Sequence, residues 1–377
     1  MASPDTEKTT GKGLAGVIAL DTEICFIDGQ KGILIYSGYD IGDLAAHCSF
    51  EEVAFLLWNG RLPDDRELRD LSLRLASERT LPPMVIDTLR LMPEDADPMA
   101  ALRTGVSILS LFDGEADDMS PEANMRKAIR LTARIPVIIA ALDRLRKGEE
   151  MVDPLKDGST ATNFLYMMSG QKPGEAAERT FDACLVLHAE HGLNASTFTG
   201  RVIGATLSDM YSAITGAIGA LKGPLHGGAN IRVMEMLTAI DRSGSSPTTF
   251  VKKLLADKER VMGFGHRVYK TIDPRATILR EMVDSLSAEQ GTRKWYDMSL
   301  EIMDVMAKNK NLYPNVDFFS ASVYATLGIS TDLFTPIFAM ARITGWSAHL
   351  LEQWKDNRLI RPRAAYTGPV GRTTGRS

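Results

Sequence analysis

Three of the six histidines of this chain sit among glycines: His191 in HAEHG, His226 in GPLHGGAN and His266 in GFGHRVYK. Glycine beside an imidazole lets the backbone approach a ligand closely and frees the φ angle that aims the ring. Three such contexts in one stretch point to a shared site. The other histidines read differently. His47 and His349 fall in helical patterns, where packing or surface exposure accounts for them. His188 precedes His191 by three residues, a spacing that on a helix would allow a metal to be gripped, but a lone pair is not a ligand set.

Asp317, in YPNVDFF, lies between Val316 and Phe318. Apolar neighbours desolvate a carboxylate, raise its pKa and make it a better base. Asn315 reads as an N-cap that places Asp317 in a first helical turn, where the helix dipole pulls the other way. The sequence leaves open which shift is larger, and a first-turn Asp that only supports its helix remains an alternative. Arg275 follows Asp273-Pro274 at a helix start, Arg342 lies inside a long apolar helix, and Arg361 stands in NRLIRPR. A buried arginine requires an anionic partner, either a protein carboxylate or a ligand. Several arginines together suit a small dicarboxylate, gripped bidentately.

Other chemistries find no motif. There is no P-loop, and GFGHRV carries only two glycines of a dinucleotide fingerprint with no strand–turn–helix unit around it. HExxH does not occur. Cys25, Cys48 and Cys184 are too widely spaced for a disulfide framework or a zinc knuckle, which fits a reducing compartment. Cys184 reads as a small buried hydrophobe. With 43 Lys+Arg against 48 Asp+Glu, net charge −5, the chain has no bulk attraction for nucleic acid or an anionic membrane. The five arginines from Arg358 onward, with no acids, read as a solvated tail. The opening MASPDTEKTTGKG has no apolar core of a signal peptide, and the longest apolar stretch falls far short of a membrane span. A cytoplasmic protein is expected.

The elements that must hold these residues are helical. At 377 residues and 44% hydrophobic composition, the chain suits two or three domains or one large helical assembly. ICFIDGQKGILIY places Asp28-Gly29 between two β-rich runs and predicts a tight hairpin. Ser49 and Glu52 form a capping box ahead of a helix that ends at Gly60, and Leu68, Leu71 and Leu75 mark a second amphipathic helix. A third is expected from Ser120-Pro121 to Gly148 with a kink at Pro136. Phe181, Cys184, Leu185 and His188 share a helical face closed at Gly192. Residues 200–221, rich in Gly, Ala and Ser, read as one buried helix with close neighbours. Asp273-Pro274 starts another, and Phe334–Asn357 reads as a central buried helix. DRSGSSPT at 241–248 joins two helices. The fold class is all-α with a small N-terminal β-hairpin.

Taken together, these blocks resemble the citrate synthase family, of the shorter bacterial and archaeal type. GLAGVIALDTEICFIDGQKGILIYSGYDI, HAEHGLNASTFTGRVIGATLSDMYSAITGAIGALKGPLHGGAN, GFGHRVYKTIDPRA, NVDFFSASVY and NRLIRPRAAYTGP occur in family order. The resemblance implies condensation of acetyl-CoA with oxaloacetate, followed by hydrolysis of citryl-CoA. It implies Asp317 as the base that removes the methyl proton, His226 as the donor that steadies the enol, and His266 as the group that polarises the ketone. His191, Arg275, Arg342 and Arg361 match oxaloacetate ligands, and Lys270 and Lys310 align with basic residues near the CoA phosphates. Acetyl-CoA is then a substrate, and no metal, nicotinamide or flavin is implied. The family implies an all-helical homodimer in which Arg361 crosses to the neighbouring subunit, without the NADH regulation of hexameric relatives. It also implies a large domain, 1–227 and 329–377, around a smaller one at 228–328 that closes over the site. Rival expectations are 2-methylcitrate synthesis from propionyl-CoA, a non-catalytic helical scaffold, and a metal hydrolase built on His188 and His191.

Overall fold

The computed structural model describes residues 12–14, 16–266 and 268–375. Residues 1–11 of the polar opening segment lie outside the described residues. Sixteen α-helices, three short 3-10 helices and one small sheet make up the regular structure among them.

The sheet contains the expected hairpin, with a longer loop and one more strand. Strands β1 (Cys25–Asp28), β2 (Ile33–Tyr36) and β3 (Tyr39–Asp40) form a three-stranded antiparallel meander. Asp28 pairs with Ile33, so the β1–β2 connection is a four-residue loop, and Asp28 Oδ1 closes it by accepting the N–H groups of Gln30 and Lys31, both at 3.0 Å. The two-residue turn lies one connection later, at Ser37-Gly38, where both residues have positive φ (44° and 93°) as a type I′ turn demands. Asp-Gly is the stronger local signal, but Asp28 spends its side chain on the loop.

The helices follow their start and stop signals closely. Ser49 and Glu52 make the reciprocal capping box, and Gly60 ends that helix in the left-handed conformation. Asp273 caps the Pro274–Glu289 helix, and Ser246 caps the Pro247–Ala256 helix at the end of the 241–248 connection. The Pro121–Arg146 helix is one continuous helix with Pro136 inside it, and every residue from Ile135 to Asp143 is buried. Two expectations change. The 200–221 segment is two helices, Ala195–Gly204 and Met210–Leu221, because Leu207 takes positive φ and Asp209 caps the second by accepting from Ser212 N. Their close approach is real: a Cβ on Gly216 would clash with Ile203 Cδ1. Finally, the Glu175–His188 helix stops at His188, three residues short of His191 and four short of Gly192. His188 and His191 therefore do not share a helix.

Phe334–Lys355 is the central helix. It is buried along most of its length and packs against the helices at 50–59, 121–146, 175–188, 195–204 and 210–221. The five helices between Ala229 and Thr326 pack chiefly on one another, and meet the rest of the chain through the helices at 41–47, 175–188 and 334–355.

Candidate active site

His226 lies in the 223–228 connection after the Met210–Leu221 helix. Its backbone N–H donates to Gly223 O at 2.9 Å, and the next residue, Gly227, donates to Leu221 O at 3.0 Å. That second contact requires glycine, because a Cβ there would overlap Leu221 O and Thr335 Cγ2. Ring Nε2 of His226 faces Ser196, 2.8 Å from Oγ and 3.3 Å from the backbone N–H. An N–H can only donate, so Nε2 is an acceptor and the ring proton sits on Nδ1, which makes no hydrogen bond among the described residues. Ser196 is itself fixed: its Oγ accepts from Trp346 Nε1 (3.1 Å) and contacts Asn194 Oδ1 (2.7 Å). Burial depresses the His226 pKa to about 4, with help from Arg342. At neutral pH it is a neutral donor.

His266 has the complementary tautomer. Its Nδ1 accepts the backbone N–H groups of Val268 (3.0 Å) and Tyr269 (3.2 Å), so the proton is on Nε2. Burial and then Arg275 hold its pKa near 4. The rings of His191, His266 and Tyr269 meet at centroid separations of 4.8–5.6 Å, and His191 Nε2 lies 3.3 Å from Tyr269 Oη. Burial, Arg275 and Arg342 push His191 well below the ordinary imidazole range.

Asp317 opens the Val316–Thr326 helix, capped by Asn315 as the sequence suggested. Asn315 also does something the sequence did not reveal. Its Oδ1 accepts from Asp317 N (3.1 Å), while its Nδ2 donates to Gly265 O (3.0 Å) and its N–H to Gly263 O (2.9 Å). With the Phe264–Pro314 bridge, these bonds tie the His266 loop to the start of the Asp317 helix. Burial dominates the Asp317 carboxyl and lifts its pKa to about 6, against the pull of Arg275 and Arg342. Of the shifts that bear on this carboxyl, the upward one from burial is the largest.

The two arginines are held differently. Arg275 makes a buried bidentate pair with Asp273 (Nε–Oδ1 3.0 Å, Nη2–Oδ2 2.9 Å), and Asp273 Oδ2 also accepts from Val316 N at 3.1 Å. Of the two anionic partners open to Arg342, a protein carboxylate or a ligand, the first is not found as an ion pair among the described residues: its Nε donates to His188 O at 2.7 Å and its Cζ stands 4.7 Å over the Phe338 ring. Its terminal nitrogens are uncommitted there. The charges of the pair tie the site together: Arg342 acts on His226, His191 and Asp317, and Arg275 on His266, His191 and Asp317.

The remaining candidates are peripheral. Lys270 lines a cavity of about 250 Å³ with His266, Tyr269 and Asn315, and its N–H donates to Gly29 O at 2.8 Å. Lys310 ends the Lys294–Lys310 helix, next to the cavity residue Asn311. Arg361 is exposed and borders a different cleft, whose lining includes Thr22, Arg201 and Glu352 but none of His191, His226 and His266. No group of three His, Cys, Asp or Glu among the described residues is arranged to hold a metal, and His188 spends Nδ1 on Cys184 O at 2.7 Å. Ser196, Tyr269 and Asp273 were missed as site residues. Each acts through a neighbour, and the only trace of that in the sequence was proximity to a histidine or arginine already singled out.

A desolvated carboxylate, two neutral imidazoles of defined tautomer and two arginines in a helical fold are the groups that enolisation of a carbonyl compound beside an anion requires. Comparison with known proteins is consistent with that. The family model described as citrate synthase, C-terminal domain, matches residues 13–363. Citrate synthase 2 of Bacillus subtilis is 53% identical over 362 residues, 96% of each chain, and the citrate synthase of Haloferax volcanii is 52% identical over 361 residues, 95% of each. Relatives whose names include 2-methylcitrate synthase match at 43–44%. The structure of Thermoplasma acidophilum citrate synthase, a ternary complex with carboxymethyl coenzyme A and oxaloacetate, superposes with a TM-score of 0.89 at 35% identity, covering 96% of this chain and 97% of that one. The chain belongs to the citrate synthase family and is an acyltransferase.

Proposed function

We propose that this protein condenses acetyl-CoA with oxaloacetate and hydrolyses the citryl-CoA formed, giving citrate and CoA. The observation that carries the reading is the pairing of a base whose pKa is lifted to about 6 with two histidines kept neutral and donor-ready. A thioester methyl is a weak carbon acid, so its proton leaves only if charge on the carbonyl oxygen is stabilised at the same time. Asp317 takes the proton, and His226 Nδ1–H receives the developing enolate oxygen. The enol carbon then forms a bond to the ketone carbon of oxaloacetate, whose oxygen is polarised by His266 Nε2–H. Arg275 and Arg342, with His191, hold the two carboxylates so that the reacting carbons are in line. Water finally cleaves the thioester and CoA leaves.

The mostly self-packed region 228–328 carries His266, Arg275 and Asp317, while 1–227 and 329–377 carry His191, His226 and Arg342. We propose that closure of the smaller region over the larger assembles the site and excludes water during condensation. Arg361 completes the oxaloacetate site of a partner subunit in a homodimer, which is consistent with its exposure and its place in a cleft that none of His191, His226 and His266 lines. Lys270 and Lys310 flank the CoA phosphates. We place the protein in the cytoplasm, in keeping with three unpaired cysteines and the absence, among described residues, of any helix long and apolar enough to cross a membrane. The test is thiol release from acetyl-CoA with and without oxaloacetate, repeated with propionyl-CoA. Oxaloacetate-dependent release with higher kcat/KM for acetyl-CoA is expected. Propionyl preference would reassign the reaction to 2-methylcitrate synthesis, and no dependence on oxaloacetate would make the fold a scaffold.

A further inference from the structure

Glu190 is completely buried, yet it takes no part in the chemistry above. Its backbone is clamped by Tyr36, whose Oη donates to Glu190 O at 2.7 Å and accepts from Glu190 N at 3.3 Å. The carboxylate turns toward the central helix. There Oε1 meets His349 Nε2 at 3.1 Å, and Oε2 has no hydrogen-bond partner. His349 Nδ1 faces Arg201 Nη1 at 3.1 Å, and a guanidinium can only donate, so His349 carries its proton on Nε2 and donates it to Glu190. The Glu190 carboxylate therefore only accepts. Gly345 makes room for it: a Cβ at that position would overlap Oε2 and Ala189 O. Arg342, Gly345 and His349 stand at i, i+3 and i+7, along one face of the central helix, and that face meets the 188–190 corner.

A buried arginine without an ion pair is costly unless a negative charge stands nearby. Glu190 is the principal negative charge acting on Arg342. We propose that Glu190, seated on Gly345 and pinned by His349, is a positioning residue: it balances the buried charge of Arg342 without pairing with it, so that the terminal nitrogens stay available to a substrate carboxylate. This deepens the proposed function and rests on Arg342 as an oxaloacetate ligand. The substrate and Glu190 then serve the same charge, and weakening one must strengthen the demand for the other.

The discriminating variant is Glu190→Gln, which can keep the His349 bond and removes the charge. It should lower the melting temperature without substrate, enlarge the upward shift caused by oxaloacetate, and reduce the oxaloacetate KM about three- to tenfold, with the acetyl-CoA KM within about twofold of the parent. Glu190→Asp, which keeps the charge, should return the oxaloacetate KM to the parent value. A role in packing alone would leave KM unchanged or raise it, and either result overturns the proposal. If Glu190→Gln is too unstable to assay, the double variant Glu190→Gln/Arg342→Gln decides: removing both charges should recover at least half the melting temperature lost, and no recovery refutes the pairing. This thermal comparison uses no substrate. Absence of oxaloacetate turnover in the parent protein would therefore count against the proposed function while leaving the charge pair testable.

Discussion

The two walls of the site hold their arginines by opposite means. On the 228–328 side, Arg275 is locked bidentately to Asp273, and Asp273 is anchored to the first turn of the Asp317 helix. On the other side, Arg342 is fixed by a backbone carbonyl and an aromatic ring, with no ion pair among the described residues. The first arrangement spends much of its arginine on rigidity and makes Arg275 part of the scaffold that aims the base. The second leaves the arginine's hydrogen-bonding capacity for a ligand. Residues of the same type, both assigned to oxaloacetate, should therefore fail in different ways when removed.

The largest expected effect tests what that rigidity serves. Asp317→Ala should lower kcat by about 10²–10⁴-fold or more with oxaloacetate binding largely retained, measured by thiol release and by titration of the inactive protein. Near-normal turnover would remove Asp317 from the base position. Next come the arginines. Arg275→Gln strands the buried Asp273 carboxylate, at a cost of about 3–5 kcal/mol, and denaturant unfolding should show it. Arg342→Gln breaks no direct ion pair and leaves Glu190 held by His349, so it should cost less stability than Arg275→Gln while raising the oxaloacetate KM strongly. Equal losses of stability would erase the contrast between the walls.

Smaller effects sharpen it. Asn315→Ala removes both the cap of the Asp317 helix and the tether to Gly265, so kcat should fall about tenfold with destabilisation of about 1–2 kcal/mol. A change in stability alone would mean that the tether does not aim the base. Arg361→Ala should weaken oxaloacetate binding. Mixed with Asp317→Ala protein, it should regain part of the activity in heterodimers, and no recovery would count against a residue shared between subunits.

Local signals carried much of this architecture into the sequence. Ser49 with Glu52, Asp273 with Pro274, and Asn315 before Asp317 all cap the helices they promise, because a capping bond is made within three or four residues. The sheet was harder, since choosing between Asp28-Gly29 and Ser37-Gly38 depends on whether Asp28 is spent on loop amides. The 200–221 region misled because small apolar residues suit one buried helix or two, and the break rests on Leu207 and Asp209. At the site, glycine context marked His191, His226 and His266, but not the atoms that set the tautomers of His226 and His266. Ser196 lies 30 residues from His226, and Glu190 lies 159 residues from His349. Such pairings exist only after folding, and no local pattern encodes them.

The central claim is that burial makes Asp317 a base poised near neutrality while His226 and His266 work uncharged. It is tested most directly by kcat/KM for acetyl-CoA as a function of pH at saturating oxaloacetate. A carboxylate with raised pKa is protonated and inactive below about pH 6 and ionised above it, so the rate should climb through a single acid limb with its midpoint near 6 and level off by pH 7–8. A midpoint at pH 4 or below, or a rate that rises as the pH falls and the imidazoles gain charge, would contradict it.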